Sequence, residues 1–516
     1  MSRGKMAASS PSSSLTERAG RAVGFRLGGN LAQVLLGLGL GVILARILPP
    51  EEFGVYAVGL AIVTVADIIS SAGMFQALVQ RQNLHPEDET TGLCLQLAFA
   101  LVLGIALVLG GPYFARFFGM PSLGVLVQAQ AAVLVIKAFS LVPNTRLSRA
   151  LAFDRLAFVD IISRLFGGVA AIIMGLRGFG ALALTGGALM NATVHTLLAW
   201  IFAPGPIQLR LSRESARALM GYGSGIVFIR IFNDLSHRVD VFILGWRFNA
   251  AVVGFYNRAY QLMTLPLYQF TNAINQVLFP AMARVQSDDE RFRRGFLGSV
   301  SLSTMVAFPM LTLLWTCGDV LIPFLYGQKW QGTVPLLTML SFVGYLRIVN
   351  NPNGLVTQAR GRVGAEAYRQ GAFTLMIALF VFAGSTWGIE GAIVGVGFAT
   401  VLYLVFMTRL ALSIAGIPAL EWLRALKSSA LSTVVMAPVV LGAKTSLDHW
   451  LPDFFLLVSV SLIGGVVYLL AIRVFMSSDE REIMESVGRI LPMKFSWLPR
   501  LVLGVGQKRT VTATAE

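Results

Sequence analysis

Residues 28–80 read GGNLAQVLLGLGLGVILARILPPEEFGVYAVGLAIVTVADIISSAGMFQALVQ, two apolar runs divided by Pro49-Pro50 and the acidic pair Glu51-Glu52. Each run is about twenty residues or longer, enough for a helix to cross roughly 30 Å of hydrocarbon. Hydrocarbon offers the backbone no water to bond, so such runs satisfy their own hydrogen bonds as helices. The first is too long for the apolar core of a signal peptide, and no small-residue cleavage site follows it. It reads as a retained first span. A mitochondrial presequence is the competing reading of the Ser-rich, basic residues 1–27.

Outward from this stretch the pattern continues along the chain. Apolar segments are centred on residues 28–48, 55–80, 92–114, 122–142, 158–176, 179–202, 218–246, 252–280, 296–317, 333–356, 367–387, 389–408, 428–443 and 454–475. About fourteen transmembrane helices are therefore expected, in an all-α polytopic membrane protein. The 516 residues are 55% hydrophobic and only 13% charged, where a soluble domain has about 25% charged residues. No region is left for a sizeable soluble domain. The formal charge of +15 sits in short loops and tails, as at Arg146, Arg149 and Arg155 or at Arg210, Arg213 and Arg217, without a compact basic domain. That distribution argues for membrane orientation and against nucleic acid. Basic loops alternate with loops poor in Lys and Arg, which places both termini on the cytoplasmic side of a membrane expected to be a bacterial inner membrane.

Little in the chain suggests covalent chemistry. Cys94 and Cys317 lie in apolar spans, far from any second thiol or histidine at metal-ligand spacing. No phosphate-binding loop of the G-x-x-x-x-G-K-[ST] type occurs. No cofactor and no metal are expected. Glu87-Asp88-Glu89 reads as a solvated turn, and Asp288-Asp289-Glu290 as a helix start with acids early. A membrane-embedded glycosyltransferase or polymerase is the enzymatic reading that these carboxylates leave open.

Sliding the sequence by 200 residues pairs Ile43-Leu44 with Ile243-Leu244, Gly54 with Gly254, Tyr56 with Tyr256, Thr64 with Thr264, Gln76 with Gln276 and Leu78 with Leu278. A later echo sets Phe118-Gly119 beside Tyr326-Gly327. The repeat unit is six helices, so both copies enter the membrane in the same direction and their pseudo-two-fold axis lies along the membrane normal. The expected organisation is an N-terminal tail (1–27), a six-helix lobe (28–202), a cytoplasmic linker (203–217), a second six-helix lobe (218–411), two further helices (412–476) that read as an appendage, and a basic tail (477–516).

Ionisable residues at bilayer depth cost at least about 2.5–3.5 kcal/mol each on insertion scales, so they face a cavity or a partner. Span 7 carries Arg230, Asp234 and Arg238 at i,i+4 spacing, hence on one helix face, flanked by Asn233 and His237. Asp67, Lys137, Asp160, Arg164, His195, Arg258 and Arg347 lie in other spans. Bases predominate, and a hydrated cationic cavity would hold an anionic group such as a lipid pyrophosphate, because guanidinium forks match phosphate oxygens. The structural alternatives are a self-neutralised 230–234–238 network, an Asp160–Arg164 ion pair, interfacial snorkelling by Lys137 and Arg258, and a packing role for His195. Span 8 adds Asn257, Gln261, Gln269, Asn272, Asn275 and Gln276 around Pro266, so it lines a cavity or a lobe interface.

Four stretches carry a family resemblance: ARILPPEEFGVYAV (45–58), SAGMFQALVQR (71–81), GFYNRAYQLMTLPLYQFTNAINQVLFPAMARVQSDDERFRRGF (254–296) and LYGQKWQGTVPLLTMLSFVGYLRIVNNPNG (325–354). With them the chain resembles Wzx-type polysaccharide flippases of the multidrug/oligosaccharidyl-lipid/polysaccharide exporter superfamily, on their colanic-acid and exopolysaccharide branch. The resemblance implies two lobes that alternate access while carrying undecaprenyl-pyrophosphate-linked repeat units to the periplasmic leaflet. It further implies a polymerase and a chain-length regulator as partners, and a basic cavity for which Lys137, Arg164, Arg230, Arg238, Arg258 and Arg347 are the candidates. Asp67, Asp160, Asp234 and His237 are candidates for ion coupling or a charge network. A multidrug or cation antiporter of the same superfamily is the rival reading, and it requires unpaired membrane carboxylates.

Overall fold

The computed structural model describes residues 32–206, 210–266, 278, 282–478 and 480–482, and within them every regular element is a helix. The N-terminal tail, most of the C-terminal tail, residues 207–209 and the polar half of span 8 with Gln269, Asn272, Asn275 and Gln276 lie outside the described residues. Among the described residues ten helical segments are long and apolar enough to cross a membrane, and two of them, Pro50–Gln80 and Tyr368–Ala415, each join two helices end to end. Fourteen spans are compatible with this arrangement. The chain divides into two compact units: residues 1–48, 62–116 and 121–228 in the first, and 49–61, 117–120 and 229–516 in the second.

The first unit contains α1 (Ala32–Ile47), the later part of α2 (Pro50–Ser71), α3 (Met74–Gln80), α4 (Pro86–Phe118), α5 (Pro121–Ala138), α6 (Leu141–Arg149), α7 (Phe153–Leu176), α8 (Ala181–Phe202) and most of α9 (Arg213–Ser236). The second expected span is interrupted at Ala72-Gly73, so its end forms the separate helix α3. Glu87-Asp88-Glu89 opens α4, where carboxylates complement the helix dipole. It is not the solvated turn read from sequence. Asp88 is 1% exposed, accepts from Ser215 Oγ at 2.6 Å and pairs with Arg81 at 3.0 Å. Glu89 receives Nε and Nη2 of Arg146 in a two-pronged bond. Ser215 and Arg146 lie far away along the chain, so local composition gave no hint of burial.

The second unit holds the start of α2, then α10 (Val239–Arg247), α11 (Ala250–Pro266), α12 (Asp289–Tyr326), α13 (Thr333–Ala359), α14 (Val363–Gly384), α15 (Gly388–Ala415), α16 (Ala419–Leu447) and α17 (Asp453–Phe475). Asp288 caps α12 by accepting from the Arg291 backbone N–H at 3.1 Å, with Asp289 and Glu290 in the first turn, as the sequence suggested. Helices α16 and α17 are more than an appendage. Both pack on α12; Lys444 of α16 reaches Asp319 at 2.8 Å and the Thr316 carbonyl at 2.9 Å, and Thr304 donates to Ser429 at 3.1 Å.

The 200-residue repeat returns in the element boundaries. α1 ends at Ile47 and α2 starts at Pro50; α10 ends at Arg247 and α11 starts at Ala250. Within the second unit the two helix starts cross at the paired glycines. A Cβ on Gly54 would stand 1.7 Å from the Ala250 carbonyl oxygen, and one on Gly254 would stand 2.0 Å from the Pro50 carbonyl oxygen. Positions 50 and 250 are themselves repeat-equivalent, so the contact is reciprocal. Only glycine lets the two backbones approach this closely.

Candidate functional site

In the first unit, α7 and α8 meet at Gly167 and Gly187. A Cβ on either would lie 2.6–2.7 Å from the other's carbonyl oxygen. That close antiparallel approach brings Asp160 of α7 beside His195 of α8, with Nε2 3.2 Å from Oδ1. Gln33 of α1 donates from Nε2 to Asp160 Oδ2 at 3.2 Å. The three side chains share the wall of a cavity of about 390 Å³ with Phe75, Asn144, Ser148, Phe153, Leu156 and Ala157.

This arrangement differs from both sequence readings of these residues. Asp160 is held by His195 and Gln33, while Arg164 is exposed, forms no ion pair among the described residues, and rests its guanidinium against Gly37. His195 lies within hydrogen-bond distance of Asp160 and is not an isolated packing residue, because the α7–α8 crossing brings together positions 35 residues apart. Lys137 of α5 pairs with Asp67 of α2 at 3.1 Å, with side chains 51% and 38% exposed.

The second unit carries a more deeply buried cluster. Asp240, in the first turn of α10, is 1% exposed and accepts from the Tyr256 hydroxyl of α11 at 2.5 Å. One turn on, Tyr260 accepts from Arg347 Nη1 of α13 at 2.5 Å, and the guanidinium lies over its ring, 5.1 Å from the centroid. Arg347 lies near enough to Asp240 to act on its charge. Nε and Nη2 of Arg347 are buried and have no hydrogen-bond partner among the described residues.

His237 and Arg238 border this cluster; the charges of Arg347 and Arg238 both act on the His237 ring, whose Nδ1 is buried without a partner among the described residues. Arg230, Asp234 and Arg238 do not share one continuous helix face. α9 ends at Ser236, and Arg238 occupies the N-cap position of α10 with φ −134° and ψ −12°. Asp234 is half-buried in the last turn of α9 and forms no ion pair among the described residues. The Arg230 side chain lies outside what the structure describes.

Arg258 has a different environment. It is 7% exposed and its guanidinium lies 4.1 Å from the Phe53 ring centroid, 5.3 Å from Tyr326 and 5.6 Å from Trp330. Nη1 donates to Gln261 Oε1 at 3.1 Å. Cation–π contacts of this kind stabilise a desolvated guanidinium. Sequence reasoning missed Asp240, Tyr256 and Tyr260 as a polar set. Comparing the repeats would have flagged two of them, since Leu40 and Leu60 stand where Asp240 and Tyr260 do.

Comparison with known proteins gives likenesses to a family, to two relatives and to a solved structure. The family described as polysaccharide biosynthesis protein matches residues 43–335. The lipopolysaccharide biosynthesis protein WzxC of Escherichia coli K12 is 28% identical over 373 residues, 70% of this chain and 75% of that protein. The succinoglycan biosynthesis transport protein ExoT of Rhizobium meliloti 1021 is 26% identical over 479 residues, 89% of this chain and 92% of that protein. Among solved structures, the lipid II flippase MurJ in an inward closed conformation superposes with a TM-score of 0.72 at 14% identity, covering 88% of this chain and 98% of that one. That likeness establishes the fold.

Proposed function

We propose, from the premise that this chain belongs to the polysaccharide biosynthesis protein family, that it is a flippase for lipid-linked saccharides. It carries an undecaprenyl-pyrophosphate-linked repeat unit from the cytoplasmic to the periplasmic leaflet of the bacterial inner membrane. The carrying observation is Arg347, a buried guanidinium with two N–H-bearing nitrogens left without a partner among the described residues. Bidentate pairing with phosphate oxygens satisfies both. Arg347 and Arg238 set two cations against the single buried carboxylate of Asp240, so the cluster favours an anion. Arg258, caged by rings, braces α11 and is set apart from the substrate.

The physical need for such a device is plain. A pyrophosphate and its sugars lose their hydrogen bonds to water in hydrocarbon, at several kcal/mol per unmet group. A protein cluster replaces those bonds while the polyprenyl tail stays in lipid. Alternating access moves the head group between two states separated by a few kcal/mol, which a differentially bound substrate can re-weight. The proposed next steps fall to a polymerase and a chain-length regulator outside the membrane-embedded chain. A cation antiporter needs unpaired carboxylates; Asp67, Asp160 and Asp240 are bound by Lys137, His195 and Tyr256, which leaves Asp234 as the one candidate carboxylate without an ion pair among the described residues.

The test is the leaflet in which the lipid-linked saccharide resides in a deletion strain, read with an impermeant sugar-modifying enzyme on inverted and right-side-out vesicles. Accumulation on the cytoplasmic face, reversed by re-expression, is the expected result. Unchanged distribution together with continued polymer export would reject the proposal.

A further inference from the structure

The cavity of the first unit has a chemistry that a phosphate does not explain. None of the nine residues lining it is Lys or Arg, and one is the carboxylate of Asp160. Its volume, about 390 Å³, lies in the lower part of the range of small-molecule pockets. Asn144 donates from Nδ2 to Ser140 Oγ at 3.3 Å, and its Oδ1 is buried without a partner among the described residues. Asp160 keeps 43% of its side chain open although Gln33 and His195 hold it. The wall therefore presents acceptors in excess of donors, and Phe75 and Phe153 add two aromatic rings.

The half-open carboxylate of Asp160 has lone pairs left to accept further donors. A pyranose ring supplies vicinal hydroxyl donors along its edge, and its C–H face suits a phenyl ring. An open carboxylate that accepts two neighbouring hydroxyls also repels a second carboxylate. We infer that this cavity is a saccharide subsite that takes one uncharged hexose ring of the transported molecule, and that Asp160 selects against a uronic acid there. This rests on the flippase reading above and adds to it the class of sugar.

Binding is tested on the full chain in lipid nanodiscs by saturation-transfer NMR, with methyl glucoside and methyl glucuronide as the neutral and anionic forms of one ring. The wild type is expected to prefer the neutral ring by about tenfold, the scale of one lost hydrogen bond to a charged group. Asp160→Asn, nearly isosteric, should erase that preference, and Ser148→Trp should fill the cavity and abolish both signals. No methyl glucoside signal in the wild type, or equal binding of the two rings, overturns the subsite without recourse to any variant. A preference that survives Asp160→Asn, or signals that survive Ser148→Trp, overturn it as well. Reconstituted wild type that moves lipid-linked saccharide yet shows no ring preference loses the subsite and keeps the flippase. Ring preference without lipid-linked transport does the reverse.

Discussion

In the corner formed by α1 and α2, positions 40, 58 and 60 carry Leu40, Val58 and Leu60; in the α10–α11 corner, 200 residues later, they carry Asp240, Arg258 and Tyr260. The backbone is shared between the two. Both corners turn within two residues before the second helix, and Gly54 and Gly254 cross each other's helix start. Tyr56 and Tyr256 also correspond. The crossing glycines and the tyrosine two residues on are the same in both, whereas Leu40, Val58 and Leu60 differ from Asp240, Arg258 and Tyr260. Each charge in the second corner is provided for: Tyr256 binds Asp240, three rings surround Arg258, and Tyr260 receives Arg347. At these three positions the second corner thus carries charged and phenolic groups where the first carries aliphatic ones, and its partners meet a desolvation cost of several kcal/mol per ion.

Substituting the paired glycines should break this comparison most severely. Gly54→Ala and Gly254→Ala each force a Cβ into a backbone carbonyl oxygen, and each is expected to cost about 3 kcal/mol or more, read as a large fall in the thermal midpoint of purified protein. The two effects should be similar in size. If one variant is tolerated, the contact is not reciprocal. Next comes Asp240→Ala, which strips the Tyr256 phenol and Arg347 of their anion; a loss of about 3 kcal/mol is expected, against about 1 kcal/mol for Asp240→Asn. Equal effects would mean that the charge matters and the hydrogen bond, which Asn can still accept, does not.

Arg347→Lys keeps the charge and removes the planar fork. Polymer export should fall about tenfold at unchanged expression and thermal midpoint. Normal export would remove the bidentate contact from the account. The smallest effect belongs to Lys137→Met, which removes half of a partly exposed pair with Asp67; the stability change should stay within about 1 kcal/mol. A larger loss would mean that this partly exposed pair behaves as the buried Asp88 and Glu89 pairs of the same unit do.

Much of the fold was legible because apolar length is a local property. The spans, the 200-residue repeat through Gly54 and Gly254, and the Asp288 cap all follow from neighbouring residues. The site was legible only in part. Arg347, Arg238 and His237 drew notice because charge is rare in such runs, yet Ser236-His237-Arg238 contains no Gly or Pro to announce the end of α9. The i,i+4 argument therefore carried Arg238 onto the wrong helix. Asp240, the buried anion of the cluster, was absorbed into span 7 unremarked. The pairings of His195 with Asp160 and of Asp88 with Ser215 join residues far apart in the chain, and no spacing rule reaches across such a fold.

The most direct test is transport by purified protein in proteoliposomes loaded with a pyrophosphate-linked polyprenyl saccharide, with the outer-leaflet fraction followed by an impermeant sugar-modifying enzyme. Wild type is predicted to make nearly all of the lipid accessible, whereas Arg347→Ala should leave it near the protein-free level while remaining folded in the bilayer. Equal accessibility with and without wild-type protein, or full transport by Arg347→Ala, would contradict a flippase that grips its cargo by the phosphate.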